Sequence, residues 1–336
     1  MTDISHEQAR ALHDDMIVID GLEICNFGRS VFEDMRRGGL TAVNCTCSVW
    51  EGIRGTLDNI AQWKRWFVEH QDIILQVFST EDIERARREN KTGIYLGWQN
   101  TFGFEDRIEY LRLYKDLGVG CIQLTYNTQN LVGSGCWESR DSGLSDFGRD
   151  VIDEMNACRI LVDLSHVGPK TSEDAILHSK QPVAYTHCAP AALLDHPRNK
   201  TDAQLRFIVD RGGFVGYATY PPFMPQKDAA TVDHCVDALE HLVNLLGEDQ
   251  VGIGTDFTQE QDGAFFDWLS HDKGDGRRVV PKRPGTGVTI MPEGLRTIGE
   301  FPNLTHAMLK RGWPESRVRK VMGGNWLRFL KEIWGR

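Results

Sequence analysis

The chain has 336 residues, 40% hydrophobic and 26% charged, which supplies enough apolar surface for a large core and excludes a disordered chain. Its formal charge of −10 excludes the clustered basic surface that nucleic-acid phosphates require, and disfavours an anionic membrane. Eight cysteines, scattered without CxxC spacing and mostly in apolar runs, point to reduced thiols in a cytoplasmic protein.

The N-terminal segment is polar and carries Ser5-x-x-Gln8, a capping box that opens a helix; no signal peptide or membrane span is read there. Eight apolar or β-branched runs follow, at 16–23, 40–49, 92–99, 121–127, 159–166, 182–188, 213–220 and 250–257. Each suits a strand buried on both faces, and the stretches between them carry helical spacing, as in Phe147, Val151 and Met155 behind a Ser145 cap. Eight alternations of strand and helix predict a closed (β/α)8 TIM barrel, with residues 1–336 as one domain. A doubly wound open sheet would need a glycine-rich phosphate turn after its first strand, and Gly21-Leu22-Glu23-Ile24 is not one. The polar, glycine-rich stretch 258–289 is read as a long loop over the barrel mouth, with a solvated surface insertion as the other reading. The tail 314–336 places Trp326, Leu330, Ile333 and Trp334 at helical spacing, as expected for a helix packed on the barrel.

In a parallel barrel the chemistry gathers where strands end. His166 closes Val162-Asp163-Leu164-Ser165-His166, and His187 closes Val183-Ala184-Tyr185-Thr186-His187, so two successive strands end in imidazoles. Neighbouring strands lie about 4.8 Å apart, close enough for two imidazoles to share one borderline-soft cation such as zinc. A lone histidine at either place would more often be a hydrogen-bonded core residue. Asp256, after two small glycines, brings a carboxylate to the last strand end, where it serves as a ligand or as the base for an attacking water; a helix cap or ion-pair partner is its plainer role.

These residues stand within motifs that resemble the membrane (renal) dipeptidase family, peptidase family M19 of the amidohydrolase superfamily. They are Gly143-Leu144-Ser145-Asp146-Phe147-Gly148, Leu161-Val162-Asp163-Leu164-Ser165-His166-Val167, Asp195-His196-Pro197-Arg198-Asn199, Val251-Gly252-Ile253-Gly254-Thr255-Asp256-Phe257 and Gly323-Gly324-Asn325-Trp326. The resemblance implies a barrel, often a homodimer, that hydrolyses dipeptides or related small amides with two zinc ions bridged by a glutamate and a hydroxide. It makes His166 and His187 ligands of the second metal, puts Asp256 beside the first metal and the nucleophilic water, and puts Arg198 where a substrate carboxylate binds.

The chain departs from that pattern in one half of the site. Where the family's first strand ends in His-x-Asp, this chain has Leu22-Glu23-Ile24; Gln99 stands at the bridging glutamate and Tyr126 at a further histidine. Two cations within about 4 Å need anionic ligands to offset their repulsion, so a binuclear site is not expected. The reading is a hydrolase with one divalent metal, zinc by preference, on His166 and His187, completed by Asp256, Glu23 or water. Asp256 and Tyr126 are its catalytic candidates, and Arg198, Asn199, Tyr126, Trp98 and Gln99 its substrate-binding set. Its partner is a small-molecule substrate, a dipeptide-like amide with a free carboxylate.

A second reading, carried by Leu22, Ile24 and Gln99, is a metal-free pseudoenzyme or small-molecule binding protein. Its sharpest form is an aromatic pocket of Trp50, Trp98, Tyr126, Tyr217 and Tyr220 for a carboxylate bearing a methylated ammonium, set against ordinary rim packing of amphipathic rings.

Overall fold

The computed structural model describes residues 4–282, 285 and 287–335. Nine strands, β1 (Ile19–Glu23), β2 (Ala42–Ser48), β3 (Ile74–Gln76), β4 (Thr92–Trp98), β5 (Val119–Gln123), β6 (Leu161–Asp163), β7 (Ala184–Cys188), β8 (Phe214–Tyr217) and β9 (Val251–Ile253), form one sheet. The order is β2-β1-β9-β8-β7-β6-β5-β4-β3, and β2 also pairs with β4 from Ala42↔Gly93 to Ser48↔Trp98. That extra pairing closes eight parallel strands into the barrel expected from the sequence. β3 stands outside the ring, paired to Thr92–Ile94 at the start of β4, before β5 takes over from Leu96 onward. It was not expected: three residues are too few to show a period.

The helices start where the sequence places their caps. Ser5 and Gln8 form the capping box of helix His6–Asp15, and Ser145 Oγ accepts from Gly148 N at 2.9 Å to open helix Asp146–Cys158, whose Val151 and Met155 are buried. Among the cysteines, all eight are free and all but Cys136 and Cys158 are buried. No helix among the described residues is long and apolar enough to cross a membrane.

One end of the barrel is stopped by the C-terminal helix Asn325–Trp334. Trp326 is fully buried and donates its indole N–H to Ile253 O at 2.7 Å, while Trp334 does the same to Gly120 O at 3.0 Å. A Cβ on Gly21 would stand 2.5 Å from Trp326 Cζ2, and one on Gly252 2.7 Å from its Nε1, so the indole enters only because these strands lack side chains there. With that end filled by aromatic rings, the strand ends opposite are left for chemistry.

Stretch 258–289 holds helix Gly263–Leu269 and is tied across the mouth at two points. Thr289 Oγ1 meets Tyr220 OH at 2.7 Å, and Asp272 Oδ1 accepts from Thr128 Oγ1 at 2.8 Å. Positions 283, 284 and 286 of the stretch lie outside the described residues.

Candidate active site

A cavity of about 610 Å³ opens at the strand ends, and Ile24, Gln99, Tyr126, His166, Arg198 and Asp256 all line it. Phe266, Leu269, Ser270, Val280 and Thr289 complete the wall, so stretch 258–289 contributes to the mouth. His166 lines it, and the fully buried His187 lies behind His166 with the two Nε2 atoms 3.1 Å apart.

The other nitrogen of each ring decides where the protons sit. His166 Nδ1 faces Asn127 Oδ1 at 2.8 Å, an oxygen that can only accept. His187 Nδ1 faces Thr186 Oγ1 at 2.8 Å, and that hydroxyl already gives its proton to Asp163 Oδ2 at 2.7 Å. With Asn127 Oδ1 and Thr186 Oγ1 as acceptors, each Nδ1 carries a hydrogen and each Nε2 presents a lone pair toward the other. Burial first, and then the Arg198 charge, pushes both imidazoles well below the usual histidine range, so both rings are neutral.

Two facing lone pairs at this distance repel, and a cation between them relieves the repulsion. Two imidazole nitrogens on one tetrahedral zinc, each at about 2.0–2.1 Å, stand about 3.3 Å apart. The pair fits one metal ion on that ground. Among the described residues no group of three or more His, Cys, Asp or Glu side chains gathers as a metal centre; His166 and Asp256 share the cavity wall, with His187 against His166.

Two buried cations stitch the strand ends that carry the pair. Arg198 Nη1 donates to Ser165 O and its Nη2 to His187 O at 3.1 Å, while Lys200 Nζ donates to Val167 O at 2.9 Å. The carbonyls on both sides of His166 are thus each held by a positive charge. Burial pushes Lys200 down to about 8, and its ammonium lies 4.8 Å from the centre of the Tyr185 ring. Arg198 keeps one buried donor, Nε, without a protein acceptor among the described residues. Tyr126 stacks on the His166 ring, centroids 4.2 Å apart, and meets Trp50 edge-on at 5.2 Å.

Several expected site residues sit elsewhere. Glu23 is not on the cavity wall: the β1 register shifts between Asp20 and Glu23, and the carboxyl lies against Asp20 and Cys25, with Cys25 Sγ 3.8 Å from Oε2. Burial, and then the Asp20 charge, raises the Glu23 carboxyl well above the usual carboxylate range, which favours its neutral form. Trp98 faces inward, donating to Cys47 Sγ at 3.1 Å and packing edge-on against Tyr114. Asn199 spends its amide on Leu194 O and Phe223 O, shaping the loop instead of the cavity. Gln99 does reach the wall, with its Nε2 donating to Thr46 Oγ1 at 3.0 Å. Of the five rings proposed as an aromatic pocket, only Tyr126 and Tyr220 line the cavity; Trp50, Trp98 and Tyr217 are buried behind it. Sequence reasoning did not single out Trp137, His196, Lys227 and Lys282, which lie between the main helices and strands where no periodicity marks them.

The model of the membrane dipeptidase family, peptidase family M19, matches residues 28–267 and 285–334. The chain belongs to that family. The match begins after β1, so Leu22, Glu23 and Ile24, where the sequence departs from the family, lie outside it. Among family relatives, the dipeptidase tcpJ of Claviceps purpurea is 30% identical over 84% of this chain, and an uncharacterized dipeptidase of Schizosaccharomyces pombe is 29% identical over 83%. The chain spans about 60% of the length of these curated relatives. A crystal structure of an amidohydrolase from Pseudomonas aeruginosa is 53% identical, with a TM-score of 0.95 over 98% of this chain and 99% of that one. A Rhodobacter sphaeroides metallo peptidase, solved with a phosphinate mimic of the dipeptide L-Ala-D-Ala, shares the fold at 19% identity, with a TM-score of 0.79 over 95% of this chain and 99% of that one. The names of the curated relatives agree with the dipeptidase-like hydrolase expected from the sequence.

Proposed function

We propose that the protein is a dipeptidase-like hydrolase that cleaves a small amide bearing a free carboxylate, using one divalent ion on His166 and His187. The observation that carries this reading is the pair of facing Nε2 lone pairs, 3.1 Å apart in neutral rings whose Nδ1 protons are already committed. When bound, such an ion, zinc by preference, supplies Lewis acidity. The chain's own groups supply the rest. Asp256, on the same cavity wall as His166, takes a proton from the attacking water. Tyr126, fixed by its stack on His166, donates its phenol hydrogen to the scissile carbonyl. Arg198 turns its unpartnered Nε–H on the substrate carboxylate; leaving that donor buried and unmet costs about 1–3 kcal/mol, which the ligand recovers. A homodimer follows from the family resemblance, and a cytoplasmic setting from the free thiols.

The test is hydrolysis of a dipeptide panel by the full-length protein, beside the same dipeptides with amidated C-termini. Expected are turnover of the free acids, poor turnover of the amides, loss with a chelator and recovery with zinc. No turnover of any member, with zinc supplied, overturns the reading. The competing reading, a metal-free binding protein, draws on Ile24 and Gln99, neutral groups that line the cavity. It requires calorimetric binding of a small carboxylate without turnover and without metal.

A further inference from the structure

Two buried aspartates, one between β6 and β7 and the other between β1 and β9, share a common pattern of bonds. Asp163 on β6 pairs in register with Ala184 on β7; its Oδ1 accepts from Ser165 N and Thr186 N, each at 3.0 Å, and its Oδ2 from Thr186 Oγ1 at 2.7 Å. Asp20 on β1 pairs in register with Ile253 on β9; its Oδ1 accepts from Leu22 N at 3.2 Å and Thr255 N at 2.8 Å, and its Oδ2 from Thr255 Oγ1. In each case the carboxylate takes the amide two residues ahead on its own strand. It also takes the amide and hydroxyl of a threonine two residues beyond its partner on the neighbouring strand. The residue after that threonine is His187 in one case and Asp256 in the other.

Two carboxyls in a barrel interior are costly unless hydrogen bonds offset their burial. Both side chains are almost fully buried, and burial raises both acids, Asp20 to about 6. Ser165 Oγ extends the first latch by donating to Asp163 Oδ1 at 2.6 Å and accepting from His187 N at 3.0 Å. Asp256 N donates to Leu22 O at 3.0 Å in the second, and Asp256 itself stands at φ 61°, a left-handed backbone that aspartate tolerates better than most non-glycine residues.

We propose that Asp163 and Asp20 are positioning residues that work as twin latches. Each threads a carboxylate through a threonine hydroxyl to set the strand end bearing His187 or Asp256. The Asp163 latch does more than hold: because Thr186 gives its hydroxyl hydrogen to Asp163, its oxygen can only accept from His187 Nδ1–H, which leaves Nε2 as the lone-pair face. The inference concerns how the site is built and does not require that the protein hydrolyse anything.

Tautomers of the labelled histidines, read from long-range proton–nitrogen NMR spectra of the full-length protein with chelator present, test the first latch without an activity assay. His187 is expected as the Nδ1–H tautomer in the parent protein and in Thr186→Ser, which keeps the hydroxyl. In Thr186→Val and Asp163→Asn the preference for Nδ1–H is expected to be lost. Crystal structures of Thr255→Ser and Thr255→Val test the second latch: the serine is expected to leave Asp256 in its left-handed backbone and the valine to release it. If Asp163→Asn does not fold, the two Thr186 variants still decide the matter. An Nε2–H tautomer in the parent, an unchanged tautomer in Thr186→Val, or an unmoved Asp256 in Thr255→Val overturns the inference.

Discussion

His166 and His187 point their Nε2 atoms at each other across 3.1 Å while Asn127 and Thr186 hold the opposite nitrogens. An arrangement in which both rings are acceptors favours a positive charge between them, which is the ground of the proposed one-metal site.

Asp256 and Tyr126 separate by their effects on turnover. Asp256→Asn keeps the shape of the side chain but removes the base, and kcat should fall roughly 10²- to 10⁴-fold with little change in KM. Tyr126→Phe keeps the stack on His166 and removes only the hydroxyl; a smaller fall, roughly 10-fold or more in kcat, is expected if the phenol donates to the developing oxyanion. Steady-state kinetics on a dipeptide that the protein turns over check both.

Trp326 stops the end of the barrel away from the cavity. Replacing it with alanine empties the space against Gly21 and Gly252 and frees the Ile253 carbonyl, so urea unfolding should show a loss of about 3–5 kcal/mol. Metal content of the folded variant should not change, because the His166–His187 pair lies at the other strand ends.

A pH effect comes from His13, which bridges Thr305 Oγ1 and Gly38 O, each at 2.8 Å, far from the cavity. Burial lowers its pKa from 6.5 to about 4. Between those values the unfolded chain binds the proton and the folded chain does not, so this contribution is present above about pH 6.5 and is lost as the pH falls toward 4. It amounts to at most about 3 kcal/mol. Unfolding free energies of the parent and His13→Gln across this window should show a shallower slope in the variant.

Arg198 is expected to be intolerant of lysine. Its two Nη groups already hold Ser165 O and His187 O, and its Nε is the guanidinium nitrogen left for a substrate carboxylate. A lysine has one ammonium for these tasks. Arg198→Lys should lower the melting temperature and raise KM for free-acid dipeptides, but leave KM for their C-terminal amides nearly unchanged.

The barrel was legible because eight buried strands each leave an apolar run, and a run needs no knowledge of its neighbours. The placing of His166, His187 and Asp256 at or near strand ends was legible for a related reason, since each stands at the close of such a run. Glu23 lies off the cavity wall, and the register shift in β1 and the Asp20 carboxyl beside it depend on pairing, which one strand does not reveal. Trp98 lies at a strand end but faces Cys47 and Tyr114, a choice set by packing partners far away in the chain. The latches were hidden for the same reason, since Asp20 and Thr255 are 235 positions apart and only closure of the barrel brings them together. Arg198 was marked by its motif, yet its hold on two backbone carbonyls could be seen only in three dimensions.

Metal content per chain tests the central claim most directly. Elemental analysis of the purified full-length protein, dialysed against zinc and then freed of excess, should give one divalent ion per chain, falling to none in a folded His187→Ala variant. A parent protein that retains no ion, or a His187→Ala variant that retains as much as the parent, would contradict the half-site.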